Sequence, residues 1–124
     1  MSEKAKTYDD GKPPLANLPT AGLRAVARVQ QYGHKKYGDF NNFRKGMEAS
    51  RQVSCILRHL YAYMDGEDLD PESGEPHLAH ACCRTMFLLQ NIHDECVIDD
   101  RYKTLQKSQK PVDKGAKSIP LSAS

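Results

Sequence analysis

Between Met47 and Asp65, apolar side chains recur at Val53, Ile56, Leu57, Leu60, Tyr61 and Met64. This i, i+3, i+4, i+7, i+8, i+11 pattern marks one face of an α-helix. The segment is therefore expected to be a helix with a core-facing stripe, ended by Gly66 as its C-cap. A helix with one apolar face needs partners, and two more segments offer them. The first opens at Thr20, a candidate N-cap, and carries Leu23, Val26 and Val29 at helical spacing as far as about Tyr32, where Gly33 is expected to stop it. The third has Pro76 in its first turn and continues through Leu78, Cys82, Met86, Phe87, Leu88, Leu89 and Ile92. It is apolar over much of its circumference, which predicts a central position in a bundle or a place in a dimer interface, with Phe87 and Leu88 as interface candidates. Residues 97–105 suggest a short fourth helix. No segment alternates as a half-buried strand does, so little sheet is expected. The expected class is all-α, a small bundle of three to four helices completed by oligomerisation.

The 124 residues have room for one domain, and a domain this small gains from self-association. Residues 1–12 are charged and aperiodic and read as a flexible arm. Residues 13–105 form the helical domain, and residues 106–124, rich in Lys, Ser and Pro, read as a flexible tail. The formal net charge of +2 is too small to argue for nucleic-acid binding. No apolar run approaches the roughly 18 residues of a membrane span. The polar opening lacks a leader's apolar core, and Cys82 and Cys83 are adjacent, a poor start for a disulfide framework. Reduced thiols and a cytoplasmic location are expected.

Two clusters have side chains suited to chemistry. In the first, Arg58-His59 near the end of the second helix is followed by Glu67, Asp68, Asp70 and Glu72 in an acidic loop, then by His77 and His80 on the third helix. His77, His80 and Arg84 share one helix face. A helix–loop–helix hairpin would fold His59 back toward His77 and His80, so imidazoles and carboxylates converge at its open end. Carboxylates suit Mg²⁺ and Mn²⁺, and imidazoles shift the preference toward Mn²⁺, Fe²⁺ or Zn²⁺. Weighed against this, acidic loops are commonly just solvated, and paired histidines are commonly structural. The loop is not a calcium EF-hand, because its glycine is misplaced and Ala79 stands where a bidentate Glu is required. The second cluster, Lys35 to Gly46, interleaves Lys36, Arg44 and Lys45 with Tyr37, Phe40 and Phe43. Basic groups pair with phosphates, a ring can stack on a base, and Asn42 can read a base edge. Its bland alternative is a solvated basic loop with anchoring aromatics. Arg51 and Arg58, seven apart, share a face and extend the basic surface. The His93-Asp94 doublet is a weak metal signal, and Cys82 and Cys83 read as inert core thiols. No Walker-type loop, Rossmann glycine pattern or nucleophile elbow is present.

Several of these segments resemble the phage dATP/dGTP diphosphohydrolase family. They are Gly11-Lys12-Pro13-Pro14-Leu15, Ala27-Arg28-Val29, Tyr32-Gly33, Lys36-Tyr37-Gly38 and Asn42-Phe43-Arg44-Lys45-Gly46. The most specific block is Arg58-His59-Leu60, then Gly66-Glu67-Asp68-Leu69-Asp70-Pro71-Glu72-Ser73-Gly74 and His77-Leu78-Ala79-His80-Ala81. The resemblance covers about residues 11–92. It implies an all-α protein akin to MazG-type pyrophosphohydrolases, which cleave between the α and β phosphates with Mg²⁺ (or Mn²⁺). It makes residues 13–105 a nucleotide-binding domain for a purine nucleotide. It further implies Glu67, Asp68 and His77 as catalytic residues, with His59, Glu67, Asp68, Asp70, His77 and His80 as metal ligands. Lys36, Asn42, Phe43, Lys45, Arg51 and Arg58 would hold the nucleotide. Phe43 replaces the family's more usual Trp, and no Glu-x-x-Glu pair lies in the helices. That second departure keeps a competing function open, a non-catalytic phage protein that sequesters a host nucleotide immune signal. In a simple hairpin, the second helix of about 19 residues would separate the two clusters by some 28 Å at roughly 1.5 Å per residue. Either the loop folds back along the bundle, or the site is shared between two subunits of a homo-oligomer, and the shared site is the arrangement favoured here.

Overall fold

A computed structural model describes residues 3–103, and the expected tail at 106–124 lies outside them. Three helices dominate: α1 (Thr20–Tyr37), α2 (Ala49–Met64) and α3 (His77–His93). Single 3-10 turns occupy Leu15–Asn17 and Asn42–Lys45. Only isolated bridges pair extended backbone among the described residues, Glu48 with Ile98 and Leu69 with Pro76. The chain is all-α, as its periodicity predicts.

The third helix is central, again as predicted. It packs against both α1 and α2, which scarcely touch each other. Small residues make this possible: Ala79 and Cys83 of α3 meet Val26 and Val29 of α1, with Ala25 and Phe87 packed alongside. Because α1 and α2 meet α3 but not one another, a groove is left between them.

Several boundaries differ from expectation. Helix α1 passes through Gly33 and ends at Tyr37, where Gly38 takes the left-handed conformation at φ 75°. A glycine inside a helix costs only about 1 kcal/mol. His34, Lys35 and Lys36 in the last turn also oppose the helix dipole. Pro76 is the N-cap residue of α3 rather than a member of its first turn. Residues 97–103 are not helical. They run back to the start of α2, where the Ala49 N–H donates to the Ile98 carbonyl at 2.9 Å and the Ser50 N–H donates to Asp100 Oδ1 at 2.9 Å. Glu48 offers α2 no side-chain cap, so this segment supplies the acceptors that the helix N-terminus lacks.

The stripe on α2 is only partly core-facing within one chain, with Ile56 and Leu60 half-buried. Val53, Leu57, Tyr61 and Met64 are exposed, Met64 at 77%. The residues that α2 buries are Ala49 and Gln52. Phe87, expected at a subunit interface, instead stacks on Phe43 at 4.0 Å inside the chain.

Gly46 joins the Asn42–Lys45 turn to α2 at φ 82° and ψ 161°, a region almost restricted to glycine. A Cβ there would overlap the Cys96 carbonyl oxygen. Gly46→Ala is expected to lower stability by about 2 kcal/mol or more in urea unfolding. Gly33→Ala, with open space around its Cβ, should leave the protein equally or more stable.

Candidate functional site

The groove between α1 and α2 is a cavity of about 620 Å³, floored by α3. Helix spacing explains how three elements line it. Helix α2 contributes Arg51, Ser54, Cys55, Arg58 and His59 along one face, and α3 contributes His80, Cys83, Arg84 and Phe87. Helix α1 and the turn after it contribute Tyr32, His34, Lys36, Phe40, Asn42 and Phe43.

Members of both predicted clusters therefore line one cavity in one chain, Arg58, His59, Asp70, Glu72 and His80 of the first with Lys36, Phe40, Asn42 and Phe43 of the second, so no shared site is needed to bring them together. The hairpin estimate failed because it left out α1. That helix lies along the acidic loop from its middle to its end, where Lys36 Nζ lies 2.8 Å from Glu72 Oε2 and Arg28 Nε 2.9 Å from Glu75 Oε1. The Tyr32 hydroxyl also donates to Glu72. The segment after α1 folds back on it, with Phe40 stacked on His34 at 3.8 Å.

At one end of the cavity lies a chain of histidines. The Glu67 carboxylate is 2.7 Å from His77 Nε2. An ionised carboxylate can only accept, so the imidazole proton sits on Nε2 and a neutral His77 keeps its lone pair on Nδ1. That Nδ1 lies 2.8 Å from Nδ1 of His59. The ring of His59 stacks on His80 at 4.5 Å and 10°. His80 Nε2 is 2.6 Å from the Ser73 hydroxyl and 3.8 Å from Asp70 Oδ2. Asp70 is fixed in turn by the Ser73 N–H, which donates to Oδ2 at 2.9 Å. One donor atom from each of His59, Asp70 and His77 falls within a 4.8 Å group.

Electrostatics favour neutral imidazoles beside an ionised carboxylate. Burial first, then the neighbouring His80 and His77, push the His59 pKa down to about 4. Burial also lowers that of His80, against the pull of Asp70. For Asp70, burial opposes ionisation but is outweighed by the Ser73 donors and by His80, which leaves the carboxyl below its ordinary value. Neutral imidazole and ionised carboxylate are the forms that bind metal. Two nitrogens and one oxygen make a donor set suited to a borderline dication.

Not every predicted residue joins this group. Asp68 is exposed, and its part in the loop is its backbone carbonyl, which accepts the His77 N–H at 2.9 Å. Glu67 touches His77 on the side away from His59, and His80 stands beside the donor group rather than in it. Lys45 is exposed and does not line the cavity, whereas Lys36, Asn42, Arg51 and Arg58 do. Phe43 also lines it, but one ring face is stacked on Phe87 and Arg44 lies 5.0 Å over the ring.

The sequence placed Arg84 on the helix face of His77 and His80 without giving it a role, and gave none to His34. Arg84 Nη1 donates at 3.1 Å to Oε1 of the fully buried Gln52. His34 has a buried Nδ1 with no hydrogen-bond partner among the described residues. The spacing of Arg84 from His77 and His80 was the available signal for the first. The second required α1 to extend past Gly33.

All four cysteines are free. Burial raises the Cys83 thiol to about 11, which leaves it inert at neutral pH. Among the described residues no helix is long and apolar enough to cross a membrane.

No solved structure matches the chain. A relative from Salmonella phage PMBT28, named dATP/dGTP diphosphohydrolase, is 33% identical over 94 residues. That match covers 76% of this chain and 32% of the relative, so the chain spans about a third of that relative's length. The family model described as dATP/dGTP diphosphohydrolase, N-terminal, matches residues 2–101. With its helices, its cavity and nearly its whole described length inside that match, the chain belongs to the dATP/dGTP diphosphohydrolase N-terminal family.

Proposed function

We propose that this chain binds a purine deoxynucleoside triphosphate in the α1–α2 groove and hydrolyses it to a monophosphate and pyrophosphate. The observation that carries this reading is the layout of the cavity. Lys36, Arg51, Arg58 and Arg84 line it, and His59 and Asp70 line one end, with the buried His77 against His59. Guanidinium and ammonium groups suit a polyphosphate. The Asn42 amide lies elsewhere along the groove, where it can meet a base edge. A divalent ion held by His59, Asp70 and His77 would neutralise phosphate charge and lower the pKa of a water. Glu67 holds the His77 ring in place, and Ser73 holds Asp70. The test is incubation of the full chain with dATP or dGTP and Mg²⁺ or Mn²⁺, followed by chromatography. Formation of dAMP or dGMP with pyrophosphate is expected, and no product at high enzyme concentration would overturn the reading.

One observation favours sequestration without turnover. The donor group has a single carboxylate, and Glu72 is engaged by Lys36 and Tyr32. Under that reading a nucleotide, including a host immune signal, binds stoichiometrically and is recovered unchanged after heat release.

The exposed apolar residues Val53, Leu57, Tyr61 and Met64 of α2 form one stripe, and we propose a second copy of the chain as its cover. Light scattering is expected to give twice the 13.9 kDa chain mass at micromolar concentration, and Leu57→Glu should return it to the single value. Since the groove belongs to one chain, mixed Asp70→Ala and Arg58→Ala subunits should not regain activity. Recovery on mixing would restore the shared-site arrangement.

A further inference from the structure

We infer that His59, Asp70 and His77 form a resident site for a borderline transition-metal dication, of the Mn²⁺, Fe²⁺, Co²⁺ or Zn²⁺ kind, in preference to Mg²⁺. Glu67 then serves as the residue that orients His77 rather than as a ligand. The inference deepens the metal component of the proposed function by naming the ion class and dividing the roles.

Three features carry it. First, the two Nδ1 atoms face each other at 2.8 Å. Glu67 claims the His77 proton at Nε2, so Nδ1 of His77 presents a lone pair at that point. A ligating imidazole whose other nitrogen donates to a carboxylate is the usual arrangement around transition metals. Second, the three donors come from different elements, the end of α2, the loop and the start of α3, yet lie within 4.8 Å of one another. Each is independently fixed, His59 by its stack on His80, Asp70 by the Ser73 N–H and His77 by Glu67 and by burial to 4% exposure. These contacts hold the three groups in place, and an entering ion would replace the His59–His77 hydrogen bond, with the His59 proton on Nε2. Third, the donor set is wrong for Mg²⁺. That ion prefers an octahedral shell of oxygens and dehydrates reluctantly, whereas imidazole suits the later first-row metals. Three protein ligands also leave positions open for water or phosphate oxygens, as a working rather than a purely structural site requires.

The experiment uses the untagged full chain without nucleotide, so its outcome is independent of turnover. Titration with Co²⁺ is followed by ligand-field absorption, and equilibrium dialysis compares Zn²⁺, Mn²⁺ and Mg²⁺. One Co²⁺ per chain is expected, with absorption that an excess of Zn²⁺ abolishes and an excess of Mg²⁺ does not. His59→Gln and Asp70→Asn, chosen to keep side-chain bulk, should each lose the site with helicity intact by circular dichroism. Glu67→Gln should keep one ion per chain but weaken binding about 10- to 100-fold. Asp68→Ala should bind as the parent does. Displacement of Co²⁺ by Mg²⁺ at comparable concentration would overturn the inference. So would undiminished Co²⁺ binding in either the His59 or the Asp70 variant. If the Asp68 variant loses the ion while the Glu67 variant keeps full affinity, the assigned division of roles is wrong. Failure to hydrolyse dATP would leave all of these results standing, and an absent metal site would leave nucleotide binding in the groove open to its own test.

Discussion

Asp70→Ala is expected to reduce dATP and dGTP turnover by at least about 100-fold, the several kcal/mol that a charge-neutralising ion contributes. Asp68→Ala, two residues earlier in the same acidic loop, should stay within about twofold of the parent, as exposed side chains outside a site usually do. In the sequence the two carboxylates are equivalent. In the fold the Asp70 carboxylate turns inward, accepts the Ser73 N–H and joins His59 and His77, while Asp68 is exposed and contributes a backbone carbonyl to His77. Asp70 also helps to hold the loop, since the Gly74 N–H donates to its carbonyl at 2.7 Å and its own N–H donates to the Glu75 carbonyl at 2.8 Å. These backbone bonds survive substitution, so the variant should fold. Steady-state kinetics on both variants, with unfolding midpoints measured alongside, decide the matter. Equal losses at Asp68 and Asp70 would mean that the loop acts through bulk negative charge and that the inward geometry has no functional role.

The contrast between these neighbours shows what the sequence could convey. Periodicity identified three helices and the central role of α3, because apolar spacing along one element is a local property. The cluster of His59, His77 and the loop carboxylates was also legible, since a hairpin necessarily brings its arms together. Which carboxylate points inward was not, because it depends on turn geometry set by Ser73 and by the bridge between Leu69 and Pro76. The stripe on α2 misled for a related reason. A period of 3.6 says that a face is apolar, not which partner covers it, and α3 instead takes the side bearing Gln52. Stopping α1 at Gly33 had the largest consequence. It removed the last turn, with His34 and Lys36, from the helix that closes the groove, and so made two ends of one cavity look like two distant sites.

Arg84 supplies the second large effect, and it needs a control because its neighbour is buried. Its guanidinium lines the cavity and donates to Gln52 Oε1, and Gln52 is 0% exposed. Hydrogen bonds to charged groups contribute about 1.5–3 kcal/mol, so Arg84→Met should weaken nucleotide binding roughly 10- to 100-fold by calorimetry. The same change orphans Gln52 Oε1 in a side chain whose Nε2 already lacks a partner among the described residues. An unsatisfied buried group costs about 1–3 kcal/mol, so stability should fall as well. A loss of affinity could then reflect a loosened α2–α3 contact instead of a lost phosphate contact. Replacing both members separates the two. In Gln52→Met with Arg84→Met, no polar atom of the pair remains to be left unpaired, and two apolar groups of similar length can pack where the pair stood. Stability is expected to return toward the parent value while nucleotide affinity stays as weak as in the single variant. Recovery of affinity together with stability would show that Arg84 only holds the helices together. Affinity that stays low in a restored fold would place the Arg84 guanidinium on the phosphates.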